Sequence, residues 1–283
     1  MKVVLDEEKN RIDNKLKIFY VAIIAICIIS VIAAIFIQTK NEKQEITKIP
    51  QVTEEQVEGY KSDFNNIFKN KVNYDTESNS YKIMKIKKEN EIIYTGYQIN
   101  DKKVNDYELD VNIPYINIVN ETAEKYNEQI KDIFEKKAKS ILNSKGNNVI
   151  YTVNYSAYVT NNILSLVVRS TLREGNNPQR DIVQTYNYDL TNQKEYTIEQ
   201  FLDIKGISKQ QANQKIREEI KRVQENVKKL GELGYNVYSR DPDSDIYSIN
   251  NVTEYFIGED NAFYIIFAYG NENNTNEMDI VVI

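Results

Sequence analysis

Apolar side chains are distributed along this chain in three patterns, and each pattern predicts a different kind of element. The first is an unbroken run over residues 18–37, which contains no charged side chain. At about 1.5 Å of rise per residue, a helix of about 20 residues spans the roughly 30 Å of a bilayer's hydrocarbon core. The run therefore predicts one transmembrane helix, with residues 1–17 as a short tail before it.

Two other interpretations of this run are less well supported. A cleaved signal peptide has an apolar region of about 7–15 residues that ends at a small-x-small site. The nearest match, Val31 to Ala33, is followed by further apolar residues, and Cys27 follows Ile26 rather than the small residue of a lipoprotein signal. Lys and Arg are more frequent before the run than directly after it, which favours a cytoplasmic N-terminus. We therefore expect a single-pass protein of the cell membrane whose C-terminal part lies outside the cell.

The second pattern has apolar residues at helical spacing. It predicts a membrane-proximal helix over residues 53–69 after a polar linker, a helix of about 20 residues that ends before Gly146, and a long helix that ends before Gly231. Thr53 with Gln56, and Ser208 with Gln211, have the spacing of a capping box. We assign residues 38–80 to the linker and membrane-proximal helix, and residues 81–283 to the outer domain.

The third pattern alternates apolar and polar residues and predicts strands. The expected strands are residues 81–87, 91–98, 107–113, 149–159, 164–172, 181–190, 248–257, 262–269 and 278–283. Pro114 is expected to end the third of them, and Asn161 with Asn162 to form a hairpin turn. The resulting fold class is α+β, in which an antiparallel sheet packs with two main helices.

Composition then narrows the chemistry. The 283 residues include 0 His, 0 Trp and 1 Cys, so they cannot build a His-assisted nucleophile, a His-bearing zinc site or a disulfide framework. Carboxylate chemistry, a Ser–Lys dyad and a carboxylate calcium site remain. The formal net charge of −6 disfavours nucleic acid as a partner and favours a cationic one. The 21 Tyr are best explained as strand residues of a half-exposed sheet, and hydrated binding interfaces are the second explanation.

Two local motifs fit ordinary structure better than chemistry. Asp241, Asp243 and Asp245 alternate as in a calcium loop, but the glycine and glutamate that such a loop needs further along are missing. Ser208 and Lys209 are adjacent at a predicted helix start, where capping explains them. We therefore expect no catalytic residue, no metal and no cofactor.

Four stretches carry a resemblance to a known family. They are ILSLVV at residues 163–168, YNYDLTNQK at 186–194, YTIEQFL at 196–202 and YFIGEDNAFYIIF at 255–267. In this order they resemble a family of bacterial extracytoplasmic domains, shared by the lysozyme-sensing anti-sigma factor RsiV and the N-terminal region of the peptidoglycan deacetylase PdaC. The resemblance covers residues 92–283 and implies an extracytoplasmic domain, with lysozyme as an example of a ligand. Residues 1–17 do not provide an evident sigma-binding domain.

Candidate ligand-binding residues follow from the turn between the central strands of that family and from the tyrosines of the next strand. They are Arg173, Glu174, Asn176, Arg180, Tyr186 and Tyr188. The sequence predicts a membrane-anchored binding or sensor domain for a protein or cell-wall ligand, and a cationic ligand such as lysozyme fits its charge. The alternatives are a structural or assembly partner in a membrane complex, and a carboxylate-only cell-wall enzyme.

Overall fold

The structure, a computed structural model, describes residues 53–74, 91–144, 148–235, 237–268 and 277–283. These residues form two β-sheets with several helices, which confirms the α+β class. The predicted membrane segment 18–37 and the predicted strand 81–87 lie outside the described residues. No helix within the described ranges is both long enough and apolar enough to cross a membrane.

Three of the helices begin with a capping box. The helices are α1 (Glu54–Asp63), α2 (Glu121–Ile130), α3 (Lys136–Asn143), α4 (Ile198–Lys205) and α5 (Lys209–Glu232). The predicted boxes at Thr53 and Ser208 are confirmed at the starts of α1 and α5. A third box, at Thr197, begins α4, a helix that the apolar pattern did not predict. A π-helical segment, Lys131–Glu135, continues α2 into α3, so the predicted helix before Gly146 is present but irregular.

The strands divide into a seven-stranded and a three-stranded sheet. They are β1 (Lys71–Tyr74), β2 (Ile93–Lys103), β3 (Tyr107–Ile116), β4 (Val149–Thr160), β5 (Ile163–Glu174), β6 (Arg180–Asp189), β7 (Lys194–Glu195), β8 (Glu254–Ile257), β9 (Phe263–Ala268) and β10 (Met278–Val282). The larger sheet has the order β2-β3-β4-β5-β6-β7, with β1 beside β4, and the smaller has the order β10-β9-β8. The predicted strand over residues 248–257 shortens to β8, because residues 249–251 form a 3-10 turn.

The prediction of a purely antiparallel sheet is wrong for the larger sheet. β3 pairs with β4 in parallel over residues 107–111, and β1 pairs with the second half of β4 in parallel as well. Between β3 and β4 the chain runs through α2, the π-helical segment and α3. Such a helical crossover returns the chain to the same end of the sheet, so the next strand runs in the same direction.

Pro114 does not end β3, contrary to the prediction. The strand continues to Ile116, and Pro114 pairs with Thr95 of β2. The pairing of β3 with β4 stops at Val111, so beyond this point one side of β3 has no partner strand in the described structure. The backbone N–H that proline lacks is therefore not needed for a hydrogen bond to a neighbouring strand.

The central hairpin forms as predicted. β4 and β5 pair along their whole length and are joined by Asn161 and Asn162, whose φ values are 49° and 63°. Two successive positive φ values define the tight turn whose twist matches that of the strands. The short asparagine side chains tolerate this backbone conformation.

Three apolar clusters hold four layers together. The first lies between α2–α3 and one face of the larger sheet, and the second lies between the opposite face of that sheet and the smaller sheet. The third lies between the far face of the smaller sheet and the helices α4 and α5. The helix α1 ends on the second cluster, where Phe64 is buried near Phe256 and Tyr264.

Candidate functional site

A cleft of 510 Å³ lies between β2 and β3 of the larger sheet and the helix that runs from α2 into the π-helical segment. We call it the tyrosine cleft. Three half-buried tyrosines come from β2 and β3, and three glutamates come from the helix. The members are Tyr94, Tyr97, Tyr115, Glu124, Glu128 and Glu135.

A β-bulge brings the tyrosines to one face of the sheet. Tyr94 pairs with Tyr115 and Tyr97 pairs with Ile113, so Gly96 is the extra residue between two regular stretches of the ladder. Side chains alternate between faces along a regular strand, which would place Tyr94 and Tyr97 on opposite sides. Because of the bulge, both tyrosines face the helix, and the rings of Tyr94 and Tyr115 lie 5.4 Å apart.

Glycine is required at this bulge for a steric reason. A Cβ atom added at Gly96 would lie 2.7 Å from the Cβ atom of Tyr115, which is closer than two non-bonded carbon atoms can approach. The lack of a side chain at Gly96 therefore lets Tyr115 stand beside the bulge and line the cleft.

Besides the apolar cluster beneath it, the helix is joined to β3 by hydrogen bonds from the side chain of Asn127. Its side-chain amide donates to the carbonyl oxygen of Ile116 at 2.9 Å, and its side-chain oxygen accepts the N–H of Ile116 at 2.8 Å. These two bonds satisfy the last backbone groups of β3 much as a partner strand would. They set the distance between the strand and the helix that form the two walls of the cleft.

The π-helical segment lies in the helical wall of the same cleft. Within it, the N–H of Lys136 donates to the carbonyl oxygen of Lys131, five residues earlier. The π-bulges of α-helices are frequent at functional sites, as β-bulges are in sheets. Here an irregular strand and an irregular helix line the same cleft.

The electrostatics of the cleft favour a cation. Among the described residues that line it, Lys131 is the one basic residue, against three glutamates. The Lys139 ammonium already lies 5.3 Å from the centroid of the Tyr97 ring and is paired with Glu135. Burial raises the pKa of Tyr97, so its hydroxyl is neutral at physiological pH and its ring can attract an ammonium or guanidinium group.

The six ligand-binding residues predicted from the sequence lie outside the tyrosine cleft. Glu174, at the end of β5, forms ion pairs with Arg180 at 2.6 Å and with Lys137 of α3 at 2.9 Å. The hydrogen bond from Lys137 is the main cause that lowers the pKa of Glu174. Arg173 and Asn176 line a separate hollow of 470 Å³ beside the turn between β2 and β3. This hollow and the tyrosine cleft lie at opposite ends of β3.

Tyr186 and Tyr188 lie in the core, apart from these four residues. Both are buried between β6 and α2, and the ring of Tyr186 lies 5.1 Å from that of Tyr126. Burial raises the pKa of Tyr188 to about 12. The six predicted residues therefore do not form one site, because the alternation of β6 turns its tyrosines towards the helix layer.

The acidic turn after α5 has an ordinary arrangement. Asp243 forms an ion pair with Arg217 at 3.2 Å, and its N–H donates to the Asp241 carboxylate at 3.1 Å. Within the described ranges, no three carboxylate or cysteine side chains are grouped so that they could hold a metal ion.

Sequence reasoning missed every member of the tyrosine cleft as a site residue. One signal was present, because a glycine inside a strand pattern indicates a bulge. Gly96 is flanked by two of the tyrosines within three residues, and the glutamates follow the helical repeat of α2. The sequence pattern could not predict that the helix packs next to β2 and β3. That packing depends on the parallel pairing of β4 with β3.

Comparisons with known proteins leave the family open. No protein-family model matches the sequence, and no curated protein matches it either. A DUF3298 family member from Bacteroides fragilis is similar in structure, with 10% sequence identity and a TM-score of 0.35, over 62% of this chain and 80% of the other. A DUF3298 family protein from Pseudomonas aeruginosa has 12% identity and a TM-score of 0.39, over 65% and 84% of the two chains. At this level of similarity neither structure assigns the chain to a family, and the RsiV- and PdaC-type resemblance stays a prediction.

Proposed function

We propose that this protein is a membrane-anchored extracytoplasmic binding domain that takes up a cationic group of a protein ligand in the tyrosine cleft. One observation carries the proposal: three half-buried tyrosines face three glutamates across a cleft whose described lining residues include one lysine, and only Glu135 among these glutamates is paired with Lys139. Aromatic rings and carboxylates are the two kinds of group that attract a lysine or arginine side chain in proteins.

The contact between Lys139 and Tyr97 supports the cationic ligand. It is the arrangement that a partner's lysine or arginine would adopt over Tyr94 or Tyr115, whose rings lie side by side. Partial burial makes such a contact stronger, because less water screens it. The net charge of −6 would speed the encounter with a basic protein at low salt.

Lysozyme is the probe of choice, because it is a basic protein and because the family resemblance names it as a ligand. The full-length chain in detergent micelles would be titrated with lysozyme by isothermal calorimetry at about 20 mM and about 500 mM salt. We expect binding at low salt that weakens at high salt. No binding at low salt would reject lysozyme as the ligand.

A pair of variants tests whether the cleft is the site. Glu128→Gln removes one carboxylate of the cleft, and Glu225→Gln removes one exposed carboxylate from α5 in another layer. We expect Glu128→Gln to weaken lysozyme binding by about three- to tenfold, and Glu225→Gln to change it less than twofold. Equal effects of the two variants would mean that only net charge matters and that the cleft is not the site.

A further inference from the structure

A second concave surface lies where the edge of β6 meets the smaller sheet. It is a groove of 820 Å³ between the first half of β6, the chain that leads into β8, and the end of β9. We call it the strand-edge groove. It differs from the tyrosine cleft in position and in construction.

The first half of β6 has no partner strand on its outer edge in the described structure, although the Glu254 and Gln184 side chains bond to backbone groups of Thr185 and Val183 there. β7 pairs with β6 only at Tyr188 and Asp189, and no other described strand pairs with β6 on that side. The N–H of Thr185 points outward, since it donates to the Glu254 carboxylate at 2.6 Å. Backbone groups of alternate residues in a strand point to the same side, so those of Asp181 and Val183 also point into the groove.

The smaller sheet contributes a second short edge. β8 starts at Glu254, which pairs with Ile266 of β9. Phe267 and Ala268, the last residues of β9, therefore extend beyond β8 and line the groove. Two strand edges thus border one groove, and an extended chain fits a groove of this kind better than a compact ligand does.

The rim of the groove carries aliphatic side chains, and the charged residues that line it are aspartate and glutamate. Ile182 on one side and Ile246 on the other are each 46% exposed, although both are large aliphatic residues. Asp181, Asp245 and Glu254 are among the lining residues, and no Lys or Arg is found among them in the described chain. Asp181 already pairs with Arg169, and the Glu254 carboxylate already accepts hydrogen bonds from Thr185 and Gln184. Of the three, Asp245 is the carboxylate that can face a ligand.

We propose that the strand-edge groove binds one extended segment of a partner protein, which adds a strand to the outer edge of β6. Apolar side chains of the segment would cover Ile182 and Ile246, and a lysine or arginine of the segment would approach Asp245. At about 3.3 Å per residue, the open part of β6 accepts a segment of about five residues. Main-chain hydrogen bonds would give affinity, and the alternation of apolar and basic residues would give specificity.

The probe is a labelled, end-capped Val-Lys-Val-Lys-Val peptide, and fluorescence anisotropy with the full-length chain measures its binding. We expect saturable binding that falls at least about tenfold when the peptide is N-methylated at alternate residues, because N-methylation removes the donors of a strand. A Val-Glu-Val-Glu-Val peptide should bind at least about tenfold more weakly than the lysine peptide. Failure of the lysine peptide to bind, or equal binding of its N-methylated form, would overturn the proposal.

A matched pair of variants locates the site on the protein. Ile182→Lys places a positive charge on the lip of the groove, and Val104→Lys makes a comparable change at a residue that is 79% exposed in the turn between β2 and β3. We expect Ile182→Lys to weaken peptide binding about tenfold and Val104→Lys to leave it unchanged. Far-UV circular dichroism and thermal unfolding of both variants show whether they fold as the wild type does.

The remaining outcome concerns a second copy of this chain. If the wild-type chain sediments as a dimer and Ile182→Lys sediments as a monomer, two copies pair through β6, and the proposal of a separate partner is wrong. A monomer that binds the lysine peptide supports it. Lysozyme binding at the tyrosine cleft should be the same in wild type and Ile182→Lys, so the two sites can fail separately.

Discussion

The tyrosine cleft and the strand-edge groove both lie beside outer strands of the described part of the larger sheet, but they offer different chemical groups. In the cleft, β3 pairs with β2, Asn127 binds both backbone groups of Ile116, and the lining is formed mainly by the side chains of tyrosines and glutamates. In the groove, the backbone of β6 itself faces outward next to two exposed isoleucines. A site of side chains selects charge and ring geometry, whereas a strand edge selects an extended conformation. Salt should therefore affect the cleft more than the groove.

The largest expected effect comes from the bulge. Gly96→Val places a branched side chain where even a Cβ atom would lie 2.7 Å from Tyr115. We expect a loss of about 2–4 kcal/mol in the free energy of unfolding, measured by urea denaturation, and loss of lysozyme binding. Gly59→Ala, at a glycine in α1 with no atom within 4 Å of an added Cβ, is the control and should stabilise the protein by about 0.5–1 kcal/mol. If Gly96→Val keeps wild-type lysozyme binding, the bulge does not form the site.

The next largest effect comes from the link between helix and strand. Asn127→Leu removes both hydrogen bonds to Ile116 and leaves the backbone groups of that residue without these partners. We expect a loss of about 1–3 kcal/mol in urea denaturation, together with weaker binding of the cationic ligand. Gln129→Leu, at an exposed position of the same helix, should change neither quantity by much. A variant that loses stability but keeps full affinity would show that Asn127 does not position the cleft.

An effect of comparable or smaller size comes from pH and belongs to the groove. Burial raises the pKa of Glu254 to about 7, although hydrogen bonds from Thr185 partly oppose this rise. The folded state therefore binds a proton that the unfolded state releases near pH 4.5, so this contribution to stability is complete below about pH 4.5 and is lost as the pH rises through about 7. We expect it to amount to about 1–3 kcal/mol.

The measurement compares wild type with Glu254→Gln by urea denaturation from pH 4.5 to pH 8. Tyr186 on β6 and Tyr255 on β8 interact electrostatically with Glu254, and burial raises the pKa of each above its usual range. Asp181 and Asp245 line the same groove. The wild type should lose stability relative to Glu254→Gln as the pH rises. Parallel pH profiles for the two proteins would contradict the raised pKa.

The smallest expected effect concerns the loop that the sequence first indicated. Arg180→Ala removes an ion pair with Glu174 in which the arginine side chain is 51% exposed. Exposed ion pairs contribute about 0–1 kcal/mol, so urea denaturation should show a change of this order or none. Because this loop and the tyrosine cleft lie at opposite ends of β3, lysozyme affinity should change less than twofold. A loss of lysozyme affinity of tenfold or more would indicate that lysozyme binds at the loop instead of the cleft.

The sequence predicted what depends on neighbouring residues and missed what depends on distant ones. The caps at Thr53 and Ser208 and the turn at Asn161 are local, and all are confirmed. The apolar stripes of the two main helices are also local and largely buried, but Leu230 at the end of the second stripe is 41% exposed, and α5 continues past its predicted end before Gly231 to Glu232. The parallel pairing of β3 with β4 joins strands separated by a helical crossover, and no local pattern encodes it. The tyrosine cleft depends on that pairing, because it decides on which side of β2 and β3 the helix packs.

The difference between contacts near in sequence and contacts far apart in sequence also affects the order in which the chain folds. The hairpin of β4 and β5 brings together residues close in sequence around a preformed asparagine turn, so the entropy lost on closing its loop is small. The parallel pairs of β4 with β3 and with β1 close much longer loops, up to the separation between Lys71 and Ser156. We therefore expect the hairpin to form early and the N-terminal strands to join it late. The tyrosine cleft would then be completed only in the last steps of folding, after the sheet that supports it.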